Sequence, residues 1–135
     1  MLRGRTQEEG ILAQLEAMPV VATQALHFDT FVIRGRVDGI QEDGTIVEVK
    51  TRRNWFREPP AYDLVQLQVY LRLYGRESGL LVERSQSDPN LSRSTQVRPE
   101  ADDWWRDLTE ALAAAAEEIR GATLERAAAW ARTFD

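Results

Sequence analysis

The sequence predicts one α/β domain, and three observations predict it. Apolar residues recur at helical spacing near the start of the chain, at its centre and toward its end. Alternating strand-forming residues run up to and away from a glycine turn at Glu42-Asp43-Gly44. Two further short strand-like segments follow the central helix. With 135 residues, 43% apolar and 29% charged, the chain is long enough for a real hydrophobic core. No internal repeat or linker divides it. A single domain over 1–135 is expected, with its core at about 4–98 and added helices at about 100–134.

Each element has its reason. Residues 4–18, GRTQEEGILAQLEAM, read as a helix whose apolar face is Ile11, Leu12, Leu15 and Met18. Residues 19–27 read as a connector, and 28–41 as one long strand or two broken near Arg34-Gly35. A turn at 42–44 leads into a strand at 45–51 and then the loop RRNWFREPP. Pro60 suits a helix start, because its missing N–H costs nothing there. A helix is expected from about 61 to 74, ended by Gly75. A strand at 78–84, a polar turn SQSDPNLSRS and a short strand at 95–98 follow, then helices at 100–119 and 123–134 separated by Gly121.

Composition narrows the chemistry. A net charge of −5 argues against coating nucleic acid by bulk electrostatics but leaves room for a local basic groove. The absence of cysteine excludes disulfides, thiolate catalysis and cysteine-ligated zinc. His27 is the sole histidine, so a multi-histidine metal site within one chain is excluded. No apolar run approaches membrane-spanning length and the opening MLRGRTQEEG is no signal peptide, so an intracellular soluble protein is expected.

The turn decides where the charges of GRVDGIQEDGTIVEVK point. A two-residue loop at Asp43-Gly44 would set Asp38 against Val49. A three-residue loop, with Gly44 in its left-handed last position, pairs Gln41 with Thr45 and sets Asp38 opposite Glu48 and Arg36 opposite Lys50. It also leaves Val37, Val47 and Val49 together for the core, so the apolar pattern favours it. Two carboxylates facing each other across strands repel unless a cation sits between them. Oxygen-only ligands suit Mg²⁺ or Mn²⁺. Lys50 points the same way as Glu48, and an acid pair with an ammonium suits phosphodiester hydrolysis. The bland alternative is a solvated face with a Glu–Lys contact.

Two helices carry polar residues on apolar arcs. At 100° per residue, Gln68 and Arg72 mark the solvent side of the 61–74 helix, while Gln66 falls among Tyr62, Leu73, Tyr70 and Tyr74. Gln66 is either a core glutamine satisfied by backbone or, with Tyr70 four residues on, a polar pair facing the hairpin. On the first helix Glu8 lies near the centre of the apolar arc and Glu9 at its edge. Glu8 is either a first-turn acid favoured by the helix dipole, with a partly solvated head, or an extra metal ligand or water-holder.

These residues in this order resemble the PD-(D/E)XK nuclease superfamily. G-R-V-D at 35–38, E-V-K at 48–50 and Q-L-Q-V-Y at 66–70 carry the likeness, and the last is similar to the branch of RecB-type and lambda-exonuclease-like nucleases. G-R-T-Q-E at 4–8 is similar to the glycine-x-x-x-glutamate seen before the first helix of lambda-exonuclease-like members. The resemblance implies a restriction-endonuclease-like α/β fold, a central mixed β-sheet flanked by helices with extra C-terminal helices. It implies Asp38 and Glu48 as metal ligands, with the Val49 backbone carbonyl and Glu8 as further candidates, Glu9 competing with Glu8. Lys50 becomes the catalytic lysine, and Gln66 and Tyr70 support the site or touch the substrate. His27 sits in a connector and receives no ligand role. Trp104, Trp105 and Trp130 match nothing in the family and are expected to be core or helix-packing residues.

The segment KTRRNWFR, residues 50–57, holds four cations and no acid, with Trp55 and Phe56 among them. Arg36, Arg52, Arg53, Trp55 and Arg57 are therefore the candidate nucleic-acid contacts, with Arg34 on the same rim. The expected function is a Mg²⁺- or Mn²⁺-dependent nuclease acting on DNA by a two-metal-type mechanism. Repair, recombination and viral genome processing all fit it. The alternatives are an accessory nucleic-acid-binding domain in a larger complex, with a protein partner or a second copy, and a plain interaction module.

Overall fold

The computed structural model describes residues 2–132, with side chains from residue 7 onward. The side chains of residues 4–6 in the GRTQE run, and residues 133 and 134 of the last expected helix, lie outside the described residues. The chain runs α1 (Leu2–Gln14), β1 (Ala17–Pro19), β2 (Gln24–His27), β3 (Val32–Gly35), β4 (Gly39–Gln41), β5 (Ile46–Arg52), α2 (Ala61–Tyr74), β6 (Gly79–Ser85), β7 (Ser92–Val97) and α3 (Asp102–Arg132).

Five strands form one mixed sheet in the order β1-β4-β5-β6-β7, and β2 with β3 forms a separate hairpin. Within the sheet only β5 and β6 run parallel, which requires a crossover, and α2 supplies it. Parallel strands are buried on both faces, and β5 obeys. Val47 and Val49 pack toward α1 with Ile11, Leu12, Ala17 and Val82. Ile46 packs toward α2 with Leu67, Leu71 and Leu81.

α2 starts behind Pro60, whose φ of −58° and ψ of 137° are extended, and stops at Gly75 in the left-handed region at φ 62°. Gly75 N donates to Arg72 O at 3.3 Å and Arg76 N to Leu71 O at 2.9 Å, which satisfies the last carbonyls.

Several expectations change. The connector at 19–27 holds the end of β1 and all of β2, and the long strand at 28–41 is β3 and β4 with an irregular step between them. The first helix stops at Gln14, where Leu15 and Glu16 close the last turn and Glu16 takes φ 55°. Met18 therefore sits in β1, 73% exposed, rather than on a helix face. Gln68, expected outside, is buried, because its side-chain amide donates to Arg98 O at 2.7 Å.

The described chain forms two compact units. One comprises residues up to Ala25 and Arg34–Pro99, and it contains the five-stranded sheet, α1 and α2. The other comprises Leu26–Ile33 and the chain from Glu100 through α3. In it Phe28 and Phe31 stack at 4.5 Å, across a turn in which Phe28 N donates to Phe31 O. The break expected at Gly121 is absent, and α3 is one helix of 31 residues. Glycine in an exposed helix costs about 1 kcal/mol relative to alanine, which the surrounding alanine-rich sequence absorbs. No described residue of α3 is buried: Trp104 and Trp105 are half-buried and Trp130 is 68% exposed, so Trp130 is not core. No helix among the described residues is long and apolar enough to cross a membrane.

Candidate active site

β5 carries the chemistry on one face. Residues two apart on a strand point the same way, so Ile46, Glu48, Lys50 and Arg52 all face α2. The hairpin adopts the three-residue register: Ile40 pairs with Ile46, Gly39 with Val47, and Gln41 N donates to Thr45 O at 2.8 Å. Gly44 takes φ 92°, and its N–H donates to Gln41 O. One step beyond Gly39, Asp38 stands against Glu48. Val49 N donates to Asp38 Oδ2 at 2.7 Å, and Asp38 N donates to Glu48 Oε1 at 3.3 Å.

The ladder ends at Gly39, which alters two expectations. Val37 does not join Val47 and Val49; it turns to the other face and packs with Ile46, Leu67 and Leu71. Arg36 is not placed opposite Lys50 by any strand pairing; it is exposed and lies near Glu8, whose carboxyl its charge pulls down. Tyr74, read from the sequence only as a member of the arc around Gln66, accepts a hydrogen bond from Val37 N at 3.3 Å and so pins the segment leading into Asp38.

Glu48 is 4% exposed. Burial first, then the hydrogen bond and negative charge of Asp38, push its carboxyl up to about 9, against the opposing pull of Lys50. Glu8 is pushed up to about 7 by burial and by a side-chain hydrogen bond and like charge from Asp38. Its partner is therefore Asp38 rather than a helix dipole: α1 begins at Leu2, and its first turn holds no acid. Glu8, Glu9, Arg36 and Asp38 line a cavity of about 210 Å³. Among the described residues no three acidic or imidazole side chains are gathered in a metal-holding cluster. The site offers two opposed carboxylates at its centre. They are all-oxygen donors whose mutual repulsion a divalent cation would relieve, so they fit Mg²⁺ or Mn²⁺ completed by backbone oxygen, water or phosphate.

Lys50 Nζ lies 3.7 Å from Glu48 Oε2 and 3.8 Å from Asp63 Oδ1. Gln66 Nε2 donates to Tyr70 OH at 3.3 Å, and burial with the charges of Glu48 and Asp38 raises the Tyr70 phenol above its ordinary value. The Gln66–Tyr70 pair therefore faces the acids. Its seat explains a glycine: a Cβ on Gly35 would come within 2.6 Å of the Tyr70 ring.

The basic loop divides. Arg52 is 9% exposed, and its guanidinium is engaged by Asp63 and Glu83, so it is withdrawn from any nucleic acid. Arg53 and Arg57 are exposed. Trp55 is half-buried under the Arg93 guanidinium, 4.9 Å from its ring centroid. His27 is exposed at the end of β2. Sequence reading missed Asp63, Glu83 and Arg93. Asp63, in the first turn of α2, has a position that a helix-start acid would also take. Glu83 left a faint signal, a charge directly following the apolar run LLV on a strand.

The same fold occurs in the protein SSO0001, with a TM-score of 0.63 and 24% identity over 79% of this chain and 55% of that one. It occurs also in an alkaline exonuclease (LHK-Exo) from Laribacter hongkongensis, with a TM-score of 0.64 and 20% identity over 90% of this chain and 68% of that one. This chain thus spans little more than half the length of the first. No curated protein matches it. A family model does, over residues 2–131, nearly the whole chain that holds the opposed acids and their lysine. The chain belongs to the PD-(D/E)XK nuclease superfamily.

Proposed function

We propose that the protein is a divalent-metal-dependent deoxyribonuclease that hydrolyses phosphodiester bonds by a two-metal-type mechanism, with Asp38, Glu48 and Lys50 at its centre. The observation that carries this reading is the opposition of Asp38 to the buried Glu48, with the Lys50 ammonium 3.7 Å from Glu48. Asp38 and Glu48 would hold the metal, with the Val49 carbonyl and Glu8 as further ligands. When bound, Mg²⁺ or Mn²⁺ polarises the phosphate and acidifies a water ligand. Lys50 presents its ammonium to the negative charge that develops on the phosphate oxygens. Gln66, whose amide donates to the Tyr70 hydroxyl, would hold that hydroxyl in support of the site. Arg53 and Arg57, exposed on the loop before α2, would take the strand's backbone phosphates, with Arg36 on the opposite rim. DNA is the substrate named because the LHK-Exo neighbour is an exonuclease and the basic loop suits a polyanion.

The test is cleavage of end-labelled linear and circular DNA, single- and double-stranded, with RNA beside it. Cleavage is expected with Mg²⁺ or Mn²⁺ and none in excess chelator, and Lys50→Ala should lower kcat by roughly 10²- to 10⁴-fold. Full activity in chelator, or near-normal turnover of Lys50→Ala, refutes the reading.

A further inference from the structure

Lys50 is one link in a chain of alternating charges. Its ammonium lies between two carboxylates, Glu48 at 3.7 Å and Asp63 at 3.8 Å. Asp63 is 3% exposed, in the first turn of α2, and Arg52 grips its other oxygen. Arg52 Nη2 in turn lies 3.1 Å from Glu83 Oε2, and Glu83 is fully buried. Arg93 clamps Glu83 through two bonds, Nε to Oε1 at 2.9 Å and Nη2 to Oε2 at 3.1 Å.

Burying this many charges is costly unless each is paired. Here each acid lies between two cations or beside one, and the members come from four elements: β5, α2, β6 and β7. A surface lysine would be held by one flexible contact, whereas this one faces a carboxylate that is itself held by a buried guanidinium. Lys50 and Glu83 are also cross-strand neighbours in the parallel ladder, so the backbone sets the spacing of the cluster. Neither a metal ligand nor an exposed substrate contact is needed to explain Asp63. Its second oxygen is aimed at the ammonium, and nothing else in the cluster requires that aim.

We infer that Asp63 is a positioning residue for Lys50, holding the ammonium beside the carboxylate pair, and that Arg52 and Glu83 hold Asp63. This rests on the nuclease reading of Asp38, Glu48 and Lys50. On that basis Asp63 governs turnover rather than substrate or metal capture, because it faces the lysine and not the strand. A misplaced functional group of this kind lowers rate while leaving binding nearly intact.

The experiment compares Asp63→Asn and Asp63→Glu with the unaltered protein in metal-supported DNA cleavage. Mn²⁺ affinity is measured by calorimetry and melting is followed for each variant. Asp63→Asn is expected to lower kcat by roughly 10- to 100-fold with KM and Mn²⁺ affinity within about threefold. Asp63→Glu, which restores the charge, should recover at least part of that loss. The inference is overturned if Asp63→Asn keeps its kcat, if the loss lies in KM or Mn²⁺ affinity, or if Asp63→Glu is no better than Asp63→Asn. Should Asp63→Asn fail to fold, Arg52→Gln/Asp63→Asn, which removes the buried cation together with the anion, carries the same kcat and KM readings. Asp38→Asn runs beside them. Turnover surviving Asp38→Asn refutes the underlying site; its loss there, with an unimpaired Asp63→Asn, refutes only the role of Asp63.

Discussion

At the scale of single residues, Glu48 is a carboxyl buried beside a second carboxyl. At 4% exposure it holds its proton far above the ordinary range, at about 9 against an ordinary 4.5. Glu8 follows at about 7. Between these values the unfolded chain has released protons that the native chain still holds, so stability falls as pH rises from about 4.5 toward 9. Glu83 works in the opposite sense: burial would raise it, but hydrogen bonds from Arg93 and Arg52 hold it low, and its contribution is lost only below about pH 4.5. In chelator, the melting temperature should therefore decline from pH 5 to 9, by several degrees, and the decline should be shallower in Glu48→Gln. Added Mg²⁺ should reverse it, because the cation binds the ionised pair and stabilises the native state by mass action. A melting temperature that is flat or rises with pH in chelator would show that the Glu48 carboxyl is not raised.

At the scale of elements, the β4–β5 turn and α3 make opposite demands on glycine. Gly44 takes φ 92°, and a Cβ there would meet Arg76 Nη1 at 3.1 Å. The turn fixes the register that opposes Asp38 to Glu48, so strain here is strain on the site. Gly121 lies in an open helix, with nothing within 4 Å of a Cβ. Gly44→Ala should cost roughly 1–2 kcal/mol, whereas Gly121→Ala should stabilise by up to about 1 kcal/mol. Denaturant midpoints of the two variants check this, and equal shifts of the same sign would contradict it. The register itself was legible from the position of the glycine in the turn, whereas the valine grouping that also favoured it failed at Val37. The face taken by Val37 was not legible, because alternation holds only while the chain stays in the ladder, and the ladder ends at Gly39.

For the whole molecule, a net charge of −5 stands against the anionic substrate proposed for it. Three of the cations close to the site are engaged internally: Arg52 and Arg93 neutralise buried acids, and Lys50 stands between Glu48 and Asp63. What faces outward near the site is Arg53, Arg57 and Arg36. On the proposed nuclease reading, capture of nucleic acid would depend on few charges. Arg53→Ala/Arg57→Ala should raise KM by roughly tenfold and flatten its dependence on salt, with kcat little changed. Cleavage rates across a salt series measure this, and an unchanged salt dependence would show that the loop does not meet the backbone.

The linear order of residues was enough for the parts governed by local rules. Helical spacing and its Pro60 and Gly75 boundaries placed α2, the glycine turn set Asp38 against Glu48, and the four-residue step joined Gln66 to Tyr70. It was insufficient wherever a partner comes from a distant element. Gln68 read as a solvent residue until Arg98 O supplied its acceptor, Arg52 read as a phosphate contact until Asp63 and Glu83 enclosed it, and Glu83 drew no reading at all. Periodicity records which side of its own element a residue occupies. Whether that side meets water, apolar packing or an opposite charge is settled only when β5, α2, β6 and β7 come together, and the burial of the Lys50 cluster is a property of that assembly alone.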